Sequence, residues 1–543
     1  MIEPHLREGG AASNALSTLQ RCKSLARVIK FQRAPSWPSP PSADLPPKDV
    51  ADELVDCYLR TSERIYRILH IPSFRRDYES LWVSDSQPNA PFLVQLKLVL
   101  AIGATVYDER FSLRTSAIRW VYEGQSWISE PIFKPRLGIQ SLQTNLLLLI
   151  AQEAVDVGGE SIWISAGALL RRAVYMGLHR DPVRLPQRTT FAAEMRRRLW
   201  NTILEIAVHS SLTSGGPPLV SLDDFDTEPP SNLDDDQLVV EDPMPKPENN
   251  FTQVSIAIAL RKTLPLRLSV VKALNNLSSQ LKYDETLSLD AELRASYKTL
   301  CRVLQSCNSS AGPSPSQFEI RVVDYIMHRY ISSLHAPWFS LAMHETAYAF
   351  SRRVVVESSL KIWRAAFPSP STVATRPQPR GDTAPSDRDD FARLATCGSG
   401  FYRTVATQAS LLIAVELRTQ LQEEESLGPV PLREDLLAVL YDAKIWCLQC
   451  IEAGETNVKG YLFISIVVAH IEGLRRGLGK GEMPELLIKA AEGAQQRCLP
   501  ILEDMVAQTR VQGTDGEVQG MSLDTPAGIS EDWDFMVRKS RRH

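Results

Sequence analysis

Helical spacing of apolar residues runs through most of the chain from Val50 onward and is the feature that most constrains the fold. Segments such as ADELVDCYLRTSERIYRIL, PFLVQLKLVLAIGATVYD and SIWISAGALLRRAVYMGL place apolar residues at i, i+3 and i+4, the spacing of helices that bury one face. Alternating polar and apolar residues, which would indicate half-buried strands, are scarce. The sequence therefore predicts an all-α fold, a large multi-helix body with disordered terminal segments.

Composition shifts divide the chain into five predicted regions. Residues 1–49 are expected to form a basic, disordered linker, because APSWPSPPSADLPP holds six prolines that cannot join a packed helix. Residues 50–366 and 393–510 carry the helical pattern and are predicted to belong to one body. Residues 367–392, rich in Pro, Ser and Thr, and residues 511–543, which lose periodicity, are predicted to be disordered.

Charge and cysteine usage limit the class of protein. The net charge of −4 gives no global attraction to nucleic acid, so contact with DNA would need a local patch. The eight cysteines are scattered along the chain, which favours a reducing compartment. The polar start MIEPHLREGG lacks the apolar core of a signal peptide, and by its sequence no apolar run is expected to span a membrane. We therefore expect a cytoplasmic or nuclear protein without membrane contact.

The motif GLHRDP contains His179, Arg180 and Asp181, the three residue types that open the catalytic loop of protein kinases. A kinase also needs an Asn five residues after that Asp, where this chain has Pro186, as well as a glycine-rich loop and an Asp-Phe-Gly motif, which are missing. Signatures of hydrolases, zinc proteases and phosphate loops are missing too. We therefore expect no catalytic residue and no enzyme, and interpret the motif as a helix end near His179 to Arg180, because Pro182 cannot continue the helix.

A second predicted helix, TFAAEMRRRLWNTILEIAVHSSL, carries three consecutive arginines, Arg196 to Arg198. The run could form a nucleic-acid patch, but it is short and flanked by apolar side chains, which favours ion pairs inside the protein. The loop SLDDFDTEPPSNLDDDQLVVED, residues 221–242, supplies nine acids and no basic residue. Glu194 also lies four residues before Arg198, the spacing of an ion pair on a helix.

Together these motifs resemble the regulatory domain of the fungal zinc-cluster (Zn2Cys6) transcription factors. In that family a GLHRDP helix end precedes an E-x-R-R-R-L-W-W helix and a G-R-P turn that leads to an acidic loop, and here the matching stretches are EMRRRLWNTILE and SGGPPLVSLDDFDTEPPSNLDDDQL. The resemblance spans about Val50 to Trp363. It departs from the pattern at Asn201 for the second Trp, Gly216 for the Arg of the turn and Glu205 for an Asp. The resemblance implies a transcription regulator of RNA polymerase II genes in a fungal nucleus, with a secondary-metabolite gene cluster as the expected target.

The zinc cluster through which that family binds DNA is not found in this sequence. It needs six cysteines within about thirty residues to share two zinc ions, whereas the first fifty residues contain only Cys22. The sole Cys-x-x-Cys pair, Cys447 and Cys450, lies in a predicted amphipathic helix without a second pair, which favours buried thiols. We therefore expect no metal site and no cofactor in this chain, zinc being expected only with an N-terminal cluster.

Two terminal segments supply the candidate functional residues. RCKSLARVIKFQR holds five basic residues and no acid, as a phosphate-contacting segment or a nuclear-import signal does. A solvated basic segment is the open alternative. The candidate nucleic-acid residues are Arg21, Lys23, Arg27, Lys30 and Arg33. GISEDWDFMVRKSRRH mixes acids with apolar side chains, as an activation segment that folds onto a coactivator does. A plain disordered tail is the alternative. The candidate activation residues are Trp533, Phe535 and Met536.

The resemblance implies promoter DNA, transcription coactivators and a second copy or related factor as partners. DNA would be contacted directly only through a restored zinc cluster, and otherwise through a partner factor. Two functions stay open. In one, the helical body senses a partner or small molecule and gates the acidic–aromatic tail. In the other, suggested by the missing cysteines, the chain is a non-DNA-binding cofactor that pairs with a complete zinc-cluster factor.

Overall fold

The computed structural model describes residues 10–83, 89–131, 138–158, 162–186, 188–278, 281–307, 312–368, 389–422, 432–479 and 481–512. Among these residues the ordered elements are helices and no strand occurs, so the predicted all-α class is confirmed. The N-terminal helices are α1 (Gly10–Arg33), α2 (Lys48–Arg60), α3 (Ser62–Tyr66), α4 (Ile71–Val83), α5 (Ala90–Tyr107), α6 (Arg114–Ser129), α7 (Ile139–Val155), α8 (Ile162–Tyr175) and α9 (Thr190–Ser214). The later helices are α10 (Ser255–Leu274), α11 (Tyr283–Cys307), α12 (Gln317–Phe339), α13 (Ala349–Ala366), α14 (Asp390–Cys397), α15 (Phe401–Gln422), α16 (Glu434–Glu452), α17 (Lys459–Arg475) and α18 (Glu482–Gln512).

Helix α5 lies at the centre of the first apolar core and packs against α2, α6 and α7. A Cβ on Gly103 would lie 2.0 Å from the carbonyl oxygen of Leu54, so the backbones of α5 and α2 touch where a glycine permits it. By length and composition α5 could cross a membrane, whereas we expected no such run in this chain. However, 83% of that window is buried inside the body, as in the core helix of a globular domain.

A second apolar core joins α1, α13 and α15 to α18. Trp363 of α13 and Trp446 of α16 meet edge to face at its centre, with ring centroids 5.6 Å apart. Because α12 packs along α13 and also contributes to the first core, the pair α12–α13 connects the two cores. The C-terminal helices therefore pack on the same helical body as the central ones.

The N-terminal region differs from the disordered linker that we expected over residues 1–49. Residues 10–33 form α1, which packs along α18 and buries Cys22 and Ile29 in the second core. The proline-rich stretch that follows also docks, because Lys97 of α5 donates to the carbonyl oxygen of Ser42 at 2.7 Å. The helix is ordered because it has a narrow apolar face. That face is hard to recognise in the sequence, because its few apolar residues are interspersed with basic ones. Most of the predicted loop 367–392 and of the tail 511–543 lies outside the described residues.

Candidate functional site

The GLHRDP motif forms a tight turn that ends α8 at Tyr175, about four residues before the predicted end. Gly177 adopts a φ of +75°, a left-handed conformation that glycine tolerates best and that commonly ends helices. The amide of Leu178 donates back to the carbonyl oxygen of Ala173 at 2.9 Å, which closes the turn. The helix therefore ends because of the glycine rather than because of Pro182.

The carboxylate of Asp181 is held by Arg197 of α9. The guanidinium donates to both carboxylate oxygens, at 2.8 and 3.0 Å, and the amide of Glu228 in the acidic loop donates a third bond at 3.0 Å. Burial opposes ionisation, yet these hydrogen bonds hold the pKa of Asp181 below its ordinary value. This carboxylate stays ionised and fully engaged, so it fastens the GLHRDP turn to α9 and to the acidic loop.

Glu194 forms the second contact between α9 and the acidic loop. It pairs with Arg197, three residues on, at 2.7 Å, so the i, i+4 pair that we predicted with Arg198 is wrong. Its carboxylate also accepts from the amide and the hydroxyl of Ser231, both at 2.8 Å. The carboxylate faces the loop for these bonds, which leaves Arg198 free to point into the interior.

Asp235 lies at the centre of a buried ion cluster. Arg198 of α9 and Arg67, which follows α3, approach the same carboxylate oxygen at 2.5 and 2.6 Å, and all three side chains are at most 2% exposed. The other oxygen accepts from the amide of Ile71 at 2.8 Å. Burial raises the cost of the charge, but the two arginines lower the pKa of Asp235. The predicted ion pair between the arginine run and the acidic loop is therefore confirmed.

Arg196 completes the run and points inward as well. It is 6% exposed and donates to the carbonyl oxygen of Met176 at 2.8 Å, next to the GLHRDP turn. The side chain of Arg197 is 14% exposed. All three arginines are engaged in contacts within the protein, so the run offers no free basic patch to a nucleic acid.

Glu205, which departs from the family pattern, forms a second buried ion pair two turns beyond this cluster. Arg267 of α10 donates to both of its carboxylate oxygens, at 2.7 and 2.6 Å. Burial opposes the charge, and the guanidinium holds the pKa of Glu205 well below its ordinary value. Helices α9 and α10 are thereby joined by a paired charge inside the core.

The structure separates the candidate nucleic-acid residues of α1. Arg21 pairs with Glu503 of α18, and Arg33 donates to the carbonyl oxygen of Gly454 at 2.7 Å. Lys23 is half-buried, whereas Arg27 and Lys30 are exposed. Only Lys30 and Arg33 come together, at the edge of a cavity of about 200 Å³. A role of these five residues in binding DNA stays a prediction, and so does a role for Trp533, Phe535 and Met536, which lie outside the described residues.

Cys447 and Cys450 are free thiols on α16. Burial raises the pKa of Cys447 to about 12 and that of Cys450 to about 11, so neither supplies the thiolate that a metal ion or an electrophile needs. Within the described part of the chain, no three His, Cys, Asp or Glu side chains are grouped so as to hold a metal ion. The two cysteines therefore act as small apolar residues of the second core.

Arg114, at the start of α6, is the residue that the sequence did not indicate. It is 6% exposed and lines the same cavity as Lys30 and Arg33. Nothing in the local sequence distinguishes this arginine from a surface residue of an amphipathic helix. Its burial becomes visible only through the distant chain segments that cover it, around Cys397 and Ala453.

Known proteins match this chain over its helical body. Residues 55–300 match the model of the fungal specific transcription factor domain. The chain is 31% identical to transcription factor asR3 of Sarocladium schorii over 99% of its own length and 67% of that protein. It is 33% identical to transcription factor opdR of Penicillium oxalicum, over 88% of the chain and 62% of the relative. It is 30% identical to the aspyridones cluster regulator apdR of Emericella nidulans, over 63% and 46%.

The matched region contains the GLHRDP turn, the arginine run and the acidic loop. The chain belongs to the family of fungal transcription factors that carry this domain, as its motifs implied. The family is one of transcription factors rather than of enzymes. The chain spans 46% to 67% of the length of the three relatives.

Proposed function

We propose that this chain is the regulatory part of a nuclear transcription regulator that acts on RNA polymerase II genes of a fungus, and that its targets form a secondary-metabolite biosynthetic gene cluster. The observation that carries the proposal is the match of residues 55–300 to the fungal transcription factor domain. The name of apdR, a regulator of the aspyridones cluster, supports the choice of target genes. The arginines and acids of the matched motifs engage one another, which supports a role for them in holding the domain together.

The packing of α1 on α18 supports a mechanism in which the body couples its two ends. Arg21 and Glu503 pair across these helices, and Arg33 contacts the sulfur of Met505 at 3.6 Å. A change in the body that moves α18 therefore moves the basic helix as well. In the proposed mechanism the body senses a partner or small molecule and controls how the acidic–aromatic segment beyond α18 is presented to coactivators.

Deletion of the gene tests the proposal. We expect transcript profiling of the deletion strain to show loss of expression, or loss of repression, of a contiguous group of biosynthetic genes. A fluorescent fusion of the full chain should accumulate in the nucleus, and chromatin occupancy should map to the promoters of the affected genes. Unchanged transcripts together with exclusion from the nucleus would contradict the proposal.

The cysteine pattern favours one alternative function, that of a cofactor for a complete zinc-cluster factor. The first fifty residues contain only Cys22, so these residues cannot hold two zinc ions. DNA would then be reached through a heterodimer or another partner assembly. Reading the genomic DNA upstream of Met1 separates the two functions, because an in-frame exon with six cysteines supports direct binding. Loss of promoter occupancy when a partner zinc-cluster factor is deleted supports the cofactor.

A further inference from the structure

A cavity of about 200 Å³ lies where the end of α1 meets the start of α6, the end of α7 and the turn after α16. Its charged lining residues are Lys30, Arg33, Arg114, Asp156 and Glu455. Its apolar lining includes Ile118, Tyr122, Val155 and Val157. Apolar lining with a few convergent polar groups is the composition of small-molecule sites, and a volume of this size admits only a small ligand.

Arg33 and Arg114 converge on one glycine. A Cβ on Gly454 would lie 2.8 Å from Nε of Arg114 and 3.3 Å from Nη2 of Arg33. Arg114 donates only to carbonyl oxygens, that of Ala453 at 3.2 and 3.1 Å and that of Cys397 at 3.1 Å. Arg33 donates to the carbonyl oxygen of Gly454 at 2.7 Å. In the part of the chain that the structure describes, neither guanidinium has a carboxylate oxygen within 4.0 Å.

The two carboxylates that line the cavity do not balance this charge. Glu455 is paired with Arg403, and its charge also attracts Arg33 and Arg114, so this one carboxylate is shared among three guanidinium groups. Burial, together with the charge of Glu455, raises the pKa of Asp156. Burial and the nearby charges of Arg403 and Arg33 lower the pKa of Arg114 to about 10. The cavity therefore holds excess positive charge that an anion would neutralise.

We propose that this cavity binds a small organic carboxylate, with its anionic group between Arg33, Arg114 and Lys30 and its hydrocarbon part against Ile118 and Tyr122. Guanidinium groups match the two oxygens of a carboxylate and bind them through charge-assisted hydrogen bonds. The apolar lining selects an organic anion over an inorganic one. The inference deepens the proposed regulatory function by giving the chemical class of a small molecule that the body senses.

The position of the cavity explains how binding would be transmitted. Lys30 and Arg33 belong to α1, whereas Arg114 belongs to α6 of the first core. A carboxylate that contacts both sides fastens α1 to the body, and α1 packs on α18. Binding would therefore stabilise the docked position of α1 and α18 by the differential affinity of the ligand for that state.

Direct binding to the purified full chain tests the inference. The probe is 3-phenylpropionate, whose neutral counterpart 3-phenylpropionamide has almost the same shape, and inorganic phosphate is the third ligand. We expect 3-phenylpropionate to bind in isothermal titration calorimetry and to raise the melting temperature. The amide should bind about tenfold more weakly or not at all, because it lacks the charge that strengthens the hydrogen bonds.

Substitutions on α1 assign the binding to this cavity. Arg33→Gln should weaken 3-phenylpropionate binding about tenfold and Lys30→Gln about threefold, as expected for charge-assisted contacts. Arg27→Gln is the matched control, because Arg27 is exposed on the same helix outside the cavity and its loss changes the net charge equally. Lys30 is also exposed, so Lys30→Gln keeps the test valid if Arg33→Gln does not fold.

Three results would overturn the inference: no binding of 3-phenylpropionate, equal binding of its amide or of phosphate, and equal affinity in the Arg33→Gln and Arg27→Gln variants. These measurements need no DNA and no gene expression. If the chain binds the carboxylate at Arg33 but deletion of its gene changes no transcript, only the proposed function is contradicted. A chain that controls transcripts without binding the carboxylate would contradict this inference alone.

Discussion

Two groups of arginines in this protein meet different partners. In the signature cluster, Arg67 and Arg198 share the carboxylate of Asp235. In the cavity cluster, Arg33 and Arg114 meet the neutral carbonyl oxygens of the turn after α16. Both groups are hydrogen-bonded, but among the described residues only the first has a carboxylate in direct contact with its guanidinium groups.

This difference separates arginines that hold the fold together from arginines that can still bind an anion. A buried charge is strongly disfavoured unless a counter-charge accompanies it, so the signature cluster needs the acidic loop in order to fold. The cavity cluster satisfies its donors with carbonyl groups and retains its charge. The signature cluster fixes the acidic loop to the helical body, whereas the cavity cluster should become more stable when an anion binds. Removing one group from each cluster therefore has different consequences.

Asp235→Asn should have the largest effect, because it leaves Arg198 buried without its counter-charge and leaves Arg67 with only Glu63, 3.8 Å away. Removing one partner of a buried ion pair costs about 3–5 kcal/mol, and we expect a loss of that size in the free energy of unfolding. Urea unfolding followed by circular dichroism measures it. Asp236→Asn is the control, since Asp236 is exposed on the same turn, and it should change the free energy by less than about 0.5 kcal/mol. Equal losses in both variants would show that Asp235 does not hold the cluster together.

Arg114→Met should cost less, although Arg114 is almost as buried. The substitution loses three hydrogen bonds to carbonyl oxygens, each of which contributes on the order of 1 kcal/mol, but it also removes repulsion with Arg33 and Arg403, which offsets part of that loss. The same unfolding experiment gives the value. The contrast with Asp235→Asn should grow in the presence of 3-phenylpropionate, which should stabilise the unsubstituted chain and leave the Arg114→Met variant unchanged. A loss as large as that of Asp235→Asn would remove the distinction between the two clusters.

The parts of this structure that the sequence predicted depend on local signals. Helical periodicity predicted the all-α fold, and the charge contrast between the arginine run and residues 221–242 predicted the contact of Arg198 with the acidic loop. Even there the detail differed, because Glu194 pairs with Arg197. The end of α8 depends on the left-handed conformation of Gly177. A glycine permits this conformation, but its presence in the sequence does not predict that the helix ends there.

The parts that were missed depend on contacts between distant segments. Helix α1 is ordered by Cys22 and Ile29 in the second core, two apolar positions among basic residues that also fit a solvated segment. The meeting of Arg33 and Arg114 needs Gly454 between them. Three segments so far apart in the chain carry no common pattern, so only the packed fold brings them into one site.

Glu153 is the reverse case of Arg114, a partly buried carboxylate with no cationic side chain within 4.0 Å among the described residues. It accepts a hydrogen bond from the amide of Phe401 at 2.9 Å, and burial raises its pKa from 4.5 to about 7. Between these two values the folded chain keeps a proton that the unfolded chain has released. The contribution of Glu153 to the free energy of unfolding therefore falls as pH rises from about 4.5 to 7, and its full cost is present above pH 7.

Glu153→Gln should remove that cost with the smallest effect of the three substitutions. Glutamine keeps a carbonyl oxygen for the amide of Phe401 and carries no charge. We expect a gain of about 1 kcal/mol at pH 8, less than the full pKa shift implies because the side chain is partly exposed to solvent, and none near pH 4.5. Urea unfolding at both pH values measures the difference, with the exposed Glu452→Gln as a control that should show no such dependence. A gain of the same size at both pH values would mean that the proton on Glu153 is not its cause. A gain at pH 8 alone would show that the chain tolerates an unpaired, partly buried carboxylate, as it tolerates the unpaired guanidinium of Arg114.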